Sequence, residues 1–190
     1  MKLVETKFYT KLIVLSDYLL LGLLWVVISL PVITVVPASV AVLYVLRRWQ
    51  GGATGHILNY FFTGIRKHFF INVLWSCLTV GIFTITNLLL QENNLFLLIS
   101  GFVVSIMYLM LLISWINNCG QMEQASFIKI FEESALDLVV SFLRNLSCSM
   151  LILLFTLLVF LFPPFIFLFV GGLWNLLFLI LSRKGRLEHE

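Results

Sequence analysis

Asp17 is the single acidic side chain in a hydrocarbon run that extends from Lys11 to Arg47. A carboxylate held in such a place is costly, and by default it serves a proton, an ion or a ligand. Ser16 beside it and Lys11 within two turns point to simpler chemistry, a helix cap or a contact at headgroup depth. Further along the same run, Pro31 and Pro37 bracket Thr34. Broken helices of this kind bind solutes in transporters, where freed backbone groups and half-helix ends meet the ligand. Asp17, Pro31, Thr34 and Pro37 therefore form one candidate site. A Pro-assisted turn that binds nothing is the plainer alternative, because Thr34 adds so little polarity to the break.

A second candidate lies between Ser126 and Arg144. Ser126, Lys129, Glu133, Asp137, Ser141 and Arg144 form a polar stripe, with Phe127, Ile130, Phe131, Leu138 and Phe142 on the remaining surface. Lys129, Glu133, Asp137 and Arg144 are the candidate partner-contact residues. Asn72, Asn87, Asn117, Asn118 and Asn175 suit hydrogen bonds between helices, which hold bundles together in hydrocarbon. Asn117 and Asn118 with Gly120 and Gln121 make the densest polar patch, at the exit of a long apolar run.

Catalysis is not expected. Glu132-Glu133 is similar to the paired glutamates of intramembrane prenyl-type proteases, but Asp137 stands where their arginine belongs. HExxH, GxSxG and Walker A patterns are missing, and no apolar run carries a histidine. Cys77, Cys119 and Cys148 are odd in number and far apart, so neither a disulfide framework nor a metal site follows. Buried, inert thiols are the expectation. No cofactor is implied.

The elements that must carry these residues are helices in a bilayer. Hydrophobic residues make up 61% of the 190-residue chain, charged residues 11%, and the mean hydropathy is +1.08. A soluble domain carries about 25% charged residues. The net charge of +3 is too small, and too confined to loops, for a nucleic-acid partner. All Lys and Arg residues fall into four clusters: Lys2/Lys7/Lys11, Arg47/Arg48/Arg66/Lys67, Lys129/Arg144 and Arg183/Lys184/Arg186. Basic loops stay cytoplasmic, so each apolar stretch between clusters must leave and return, with both termini inside. A cleaved signal peptide is not expected, because Leu12–Val36 is too long for one and contains Asp17.

Phe69–Leu90 and Leu95–Ile116 each have the length of a spanning helix, joined by the polar turn Gln91-Glu92-Asn93-Asn94. The first helix should end near Leu30, before Pro31. Pro31–Pro37 reads as extended, and Ala38–Trp49 as a helix of about 18 Å, too short to span. Pro163-Pro164 divides Leu146–Leu181 into a second hairpin; one long kinked helix is the competitor. His56–Lys67 is amphipathic, with polar His56, Asn59, Thr63 and Arg66 opposite Ile57, Tyr60, Phe61 and Ile65, and Thr54 as cap. The five tryptophans are candidate headgroup anchors. The expected fold is all-α. It is a polytopic transmembrane bundle in one integral membrane domain, residues 1–190, with two regular spans flanked by Pro-broken hairpins and cytoplasmic amphipathic helices.

Ser29-Leu30-Pro31-Val32-Ile33-Thr34, then Pro37-Ala38, Ala41, Leu43 and Tyr44, resembles the N-terminal signature of the YesL family of bacterial membrane proteins. Phe61-Phe62-x-Gly64 followed by Phe69 resembles that family's next element, and Asp17 and Trp25 match its first helix. The resemblance covers Asp17 to Phe70. Val36 replaces a customary glycine and Asn59 a customary aspartate. The family has no established biochemical activity; its members are often encoded beside carbohydrate ABC importers. The resemblance thus implies a cell-membrane accessory to carbohydrate uptake, with a permease or sugar-binding subunit as partner besides the lipid bilayer. A small-solute carrier or channel is the alternative, and a membrane sensor or assembly factor a third.

Overall fold

The computed structural model describes residues 2–50, 55–91, 95–121 and 126–182. Among these residues eight α-helices follow in chain order: α1 Lys2–Ser29, α2 Val35–Trp49, α3 Ile57–Arg66, α4 Phe69–Gln91, α5 Leu95–Gln121, α6 Phe127–Val140, α7 Phe142–Leu161 and α8 Phe165–Ser182. A single 3-10 turn, Val32–Thr34, joins α1 to α2. Among the described residues, five helical segments are long and apolar enough to cross a membrane. The polytopic helical bundle expected from the sequence is the fold.

Pro31 ends α1 within one residue of the expected place, because it removes a backbone donor and keeps Leu30 out of the helical region. The strip that follows is not extended. Pro31 alone lies in the extended region (φ −74°, ψ 111°), and Val35–Pro37 already belong to α2. Pro37 takes the third helical position, where an N–H has no intrahelical acceptor and its loss costs nothing.

α2 is the hub. Every residue from Val36 to Leu46 is buried, and α1, α3, α4, α5 and α8 all pack on it. Small residues permit this approach: a methyl on Gly64 of α3 would lie 2.8 Å from the Ala41 Cα. Gly22 and Gly171 do the same where α1 crosses α8; a methyl at Gly22 would lie 2.7 Å from the Gly171 nitrogen. Close backbone approach through small residues is the usual basis of helix packing in lipid, where apolar contact alone gives no preference for protein over acyl chain.

α4 and α5 form the expected hairpin, and residues 92–94 of its turn lie outside the described residues. Across Pro163-Pro164 the chain likewise forms two helices that pack on each other, α7 and α8, rather than one kinked helix. The basic cluster Arg183/Lys184/Arg186 lies outside the described residues, as does Thr54, the expected cap of α3. His56 occupies the N-cap position instead, in the left-handed region (φ 51°) and without a side-chain cap bond.

Three further expectations are corrected. The stripe from Ser126 to Arg144 is not one helix: Ser141 (φ −111°, ψ 35°) breaks it, and Arg144 belongs to the first turn of α7. The Ser141 N–H and the Asn145 side chain both bond the Asp137 carbonyl, so the break leaves that acceptor satisfied. The tryptophans pack inward: Trp49, Trp75, Trp115 and Trp174 are buried and Trp25 half-buried. Their length fills gaps between helices, with Trp75 against Trp115 at 4.9 Å and Trp25 against Trp174 at 5.8 Å. Cys119 and Cys148 are buried as expected, whereas Cys77 is exposed on the outer face of α4.

Candidate functional site

Arg47 sits on the inward side of α2, one turn beyond Leu43, and is carried to the end of the bundle where α5 also finishes. Its Nη2 donates to the Asn117 backbone oxygen at 2.8 Å and to Asn117 Oδ1 at 2.7 Å. Gly120 makes room for the guanidinium, because a side chain there would clash with Arg47 Nη1. That Nη1 is buried and has no hydrogen-bond partner among the described residues.

Asn118, one residue on, donates through Nδ2 to Ser134 Oγ of α6 at 3.2 Å. Ser114, a turn earlier on α5, donates to the Ser134 carbonyl at 2.9 Å and to Asp137 Oδ2 at 3.0 Å. Asp137 in turn receives Arg144 Nη2 at 2.6 and 2.5 Å on its two carboxylate oxygens. Arg144 Nε has no hydrogen-bond partner among the described residues. α5, α6 and α7 are thereby tied by one network, and both ions of the pair are mostly shielded from solvent.

Arg47, Asn117, Asn118, Asp137 and Arg144 of this network border an open chamber of about 670 Å³. Arg47 and Gln50 come from α2, Asn117, Asn118 and Gln121 from α5, Glu133 and Asp137 from α6, and Arg144 from α7. Phe178, Leu181 and Ser182 close it from α8. The charges balance, two arginines against two carboxylates. Such a wall can recognise an uncharged polar ligand or a polar segment of another protein through hydrogen bonds. It holds no paired nucleophile and base, and among the described residues no cluster of His, Cys, Asp and Glu could bind a metal ion.

The sequence candidates are not gathered in one place. Asp17 is half-buried inside α1, a helix that is continuous from Lys2, so it caps no helix start. The Thr34 hydroxyl donates to the Ile28 carbonyl and to the Pro31 carbonyl, closing the turn rather than facing a path. Of the partner-contact set, Lys129 is exposed, Glu133 lines the chamber, and Asp137 and Arg144 pair with each other. Asn72, Asn117 and Asn118 make interhelical bonds, while Asn87 bonds the Phe83 carbonyl of its own helix. Asn59, at the customary aspartate position, is exposed on α3, and Val36 is buried against α4.

Arg47, Ser114 and Ser134 are the site residues that sequence reasoning missed. Two signals were present: an arginine one turn from Leu43 on a short apolar helix, and serines recurring on the inner faces of α5 and α6.

No curated protein and no solved structure matches the chain. Over residues 18–88, from α1 into α4, it is similar to the family described as a protein of unknown function, DUF624, so the chamber wall given by α5 to α8 lies beyond the matched region.

Proposed function

We propose that this chain is a non-catalytic protein of the bacterial cell membrane, accessory to ABC-type carbohydrate uptake, with both termini in the cytoplasm. The signature from Ser29 to Tyr44 and its resemblance to the YesL family support the context. One structural observation carries the mode of action: the available polar groups converge on the chamber at the basic end. Deeper in the bundle the polar side chains bond one another. Asn72 Oδ1 takes the Trp115 indole N–H at 3.1 Å, Trp25 Nε1 reaches Ser39 Oγ at 3.1 Å, and Thr79 pairs with Tyr108 at 2.8 Å. They hold helices together; away from the chamber wall, the Ser29 hydroxyl and the Trp174 indole N–H are buried without a hydrogen-bond partner among the described residues.

The chamber, with Glu133 of α6 in its wall and the exposed Lys129 one turn before it in the sequence, is then the surface that a permease or sugar-binding subunit meets. Native-membrane crosslinking and affinity purification of the tagged chain, with mass spectrometry, tests this. Recovery of carbohydrate-transporter subunits, lost in a Lys129→Glu, Glu133→Lys variant that still folds, is the expected result. Recovery of the chain alone contradicts it.

The size and polar lining of the chamber favour one second reading, an autonomous small-solute carrier. Solute flux into vesicles holding the purified chain, above empty vesicles, would establish that instead.

A further inference from the structure

The α1–α2 hairpin and the α4–α5 hairpin differ in reach. α2 runs antiparallel to α4: Lys67 Nζ lies 4.1 Å from the Tyr44 ring centroid, and Val36 N–H meets Ser76 Oγ at 3.2 Å. Ser76 is only the eighth residue of α4, whose remaining fifteen residues, Cys77–Gln91, continue past the start of α2. At helical rise those residues extend about 22 Å beyond it. If α4 crosses a hydrocarbon layer of about 30 Å, the turn between α1 and α2 stops near the middle.

A turn in hydrocarbon must satisfy its backbone without water. This one does. Thr34 N–H bonds the Pro31 carbonyl at 2.8 Å, Val35 N–H the Val32 carbonyl, and Val36 N–H the Ser76 hydroxyl of another helix. Pro37, next in line, has no N–H to satisfy. The Thr34 hydroxyl covers the Ile28 carbonyl that the end of α1 frees, and also reaches the Pro31 carbonyl. Each donor at the start of α2 is thus matched by protein. The side chains of the turn are nevertheless outward and apolar: Leu30 is 74% exposed, Val32 60% and Ile33 51%. They continue the apolar outer surface of α4, where Leu74, Leu78 and Val80 are exposed.

We propose that α1–α2 is a re-entrant hairpin, entering and leaving at the basic end, whose Leu30–Ile33 apex is covered by acyl chains of the opposite leaflet. Length and hydropathy alone would let Leu12–Ser29 and Val32–Trp49 count as two spans; the Val36–Ser76 register places their apex too shallow for that.

The test uses the full chain in phosphatidylethanolamine–phosphatidylglycerol vesicles, in a Cys77→Ala background with the buried cysteines kept. Nitroxides are attached at Val32→Cys and, as reference, at Gln91→Cys, and their collision rates with oxygen and with a water-soluble nickel chelate are measured. The expected result at residue 32 is an oxygen rate above, and a nickel rate several-fold below, those at residue 91. A nickel rate matching residue 91 would put the apex in water and overturn the proposal. Low rates with both reagents would mean that protein, a second copy or a partner, covers the apex, and would also overturn it. Ile33→Cys is the second site if Val32→Cys does not fold.

Discussion

α2 and the outer part of α4 are built from the same classes of residue, yet their surroundings are opposite. Val36 to Leu46 are all buried, whereas Leu78, Val80, Phe83, Ile85 and Leu88 are exposed. The difference is in the small and hydrogen-bonding residues. Ala38, Ser39 and Ala41 in α2, with Gly64 facing them, let backbones approach, and Ser76 and Asn72 of α4 add bonds at the same level. The outer part of α4 has Thr86 bonded to Ser105 at 2.8 Å and Gly101 beside Leu89, enough for one neighbour only. In lipid, hydropathy says which segments leave water; small residues and polar pairs decide which of them pack.

Glycine substitutions should break that contrast most sharply. Gly171→Leu drives a side chain into the Tyr18 backbone, where α1 crosses α8, and should cost about 3 kcal/mol or abolish folding. Gly172→Leu, its neighbour facing open space, should change stability by less than about 0.5 kcal/mol. Detergent unfolding monitored by tryptophan fluorescence separates the two. Equal effects would mean that α1 and α8 do not touch as described.

Next in size, Asp137→Ala leaves Arg144 in a shielded site without its counter-charge and should cost about 3 kcal/mol or somewhat less. Adding Arg144→Ala should restore part of the loss, and a double-mutant cycle measures how much. Additive losses would show that the two side chains do not interact. Asn72→Leu strands the Trp115 indole and the Lys67 carbonyl and should cost about 1 kcal/mol. Asn87→Leu, on the exposed side of the same helix, should be neutral or stabilising, again read by unfolding in detergent.

The smallest expected effect is a gain. His68, between α3 and α4, holds φ at 51°, a region that costs an L-residue about 1–2 kcal/mol. His68→Gly should recover about 1 kcal/mol, less what glycine loses to a freer unfolded chain. A drop in stability would show that the imidazole makes a contact worth more than the backbone strain.

Much of this fold was legible because prolines and charges punctuate it. Pro31 and Pro163-Pro164 end helices where their missing donors require, and the polar Gln91–Asn94 stretch parts α4 from α5. The failures share a cause: each depends on a neighbour that sequence spacing does not name. Pro37 reads as a second breaker, but at the third position of a helix it breaks nothing. The tryptophans read as headgroup anchors, but wide gaps between helices draw them inward. Ser141 carries no breaker signature; Asn145 and Arg144 fold back on Asp137 and stabilise the kink. The chamber followed the same rule. Asn117, Asn118 and Gln121 stood out as a polar patch, while Arg47 became part of it only because α2 turns that face toward α5.

The central claim is that the chain works through its chamber end, and site-specific photocrosslinking in native membranes tests it most directly. A photoreactive side chain at Lys129 should capture a carbohydrate-transporter subunit, and one at Gln91, at the far end of α4, should not. Capture at Gln91 but not at Lys129, or at neither, would contradict the account.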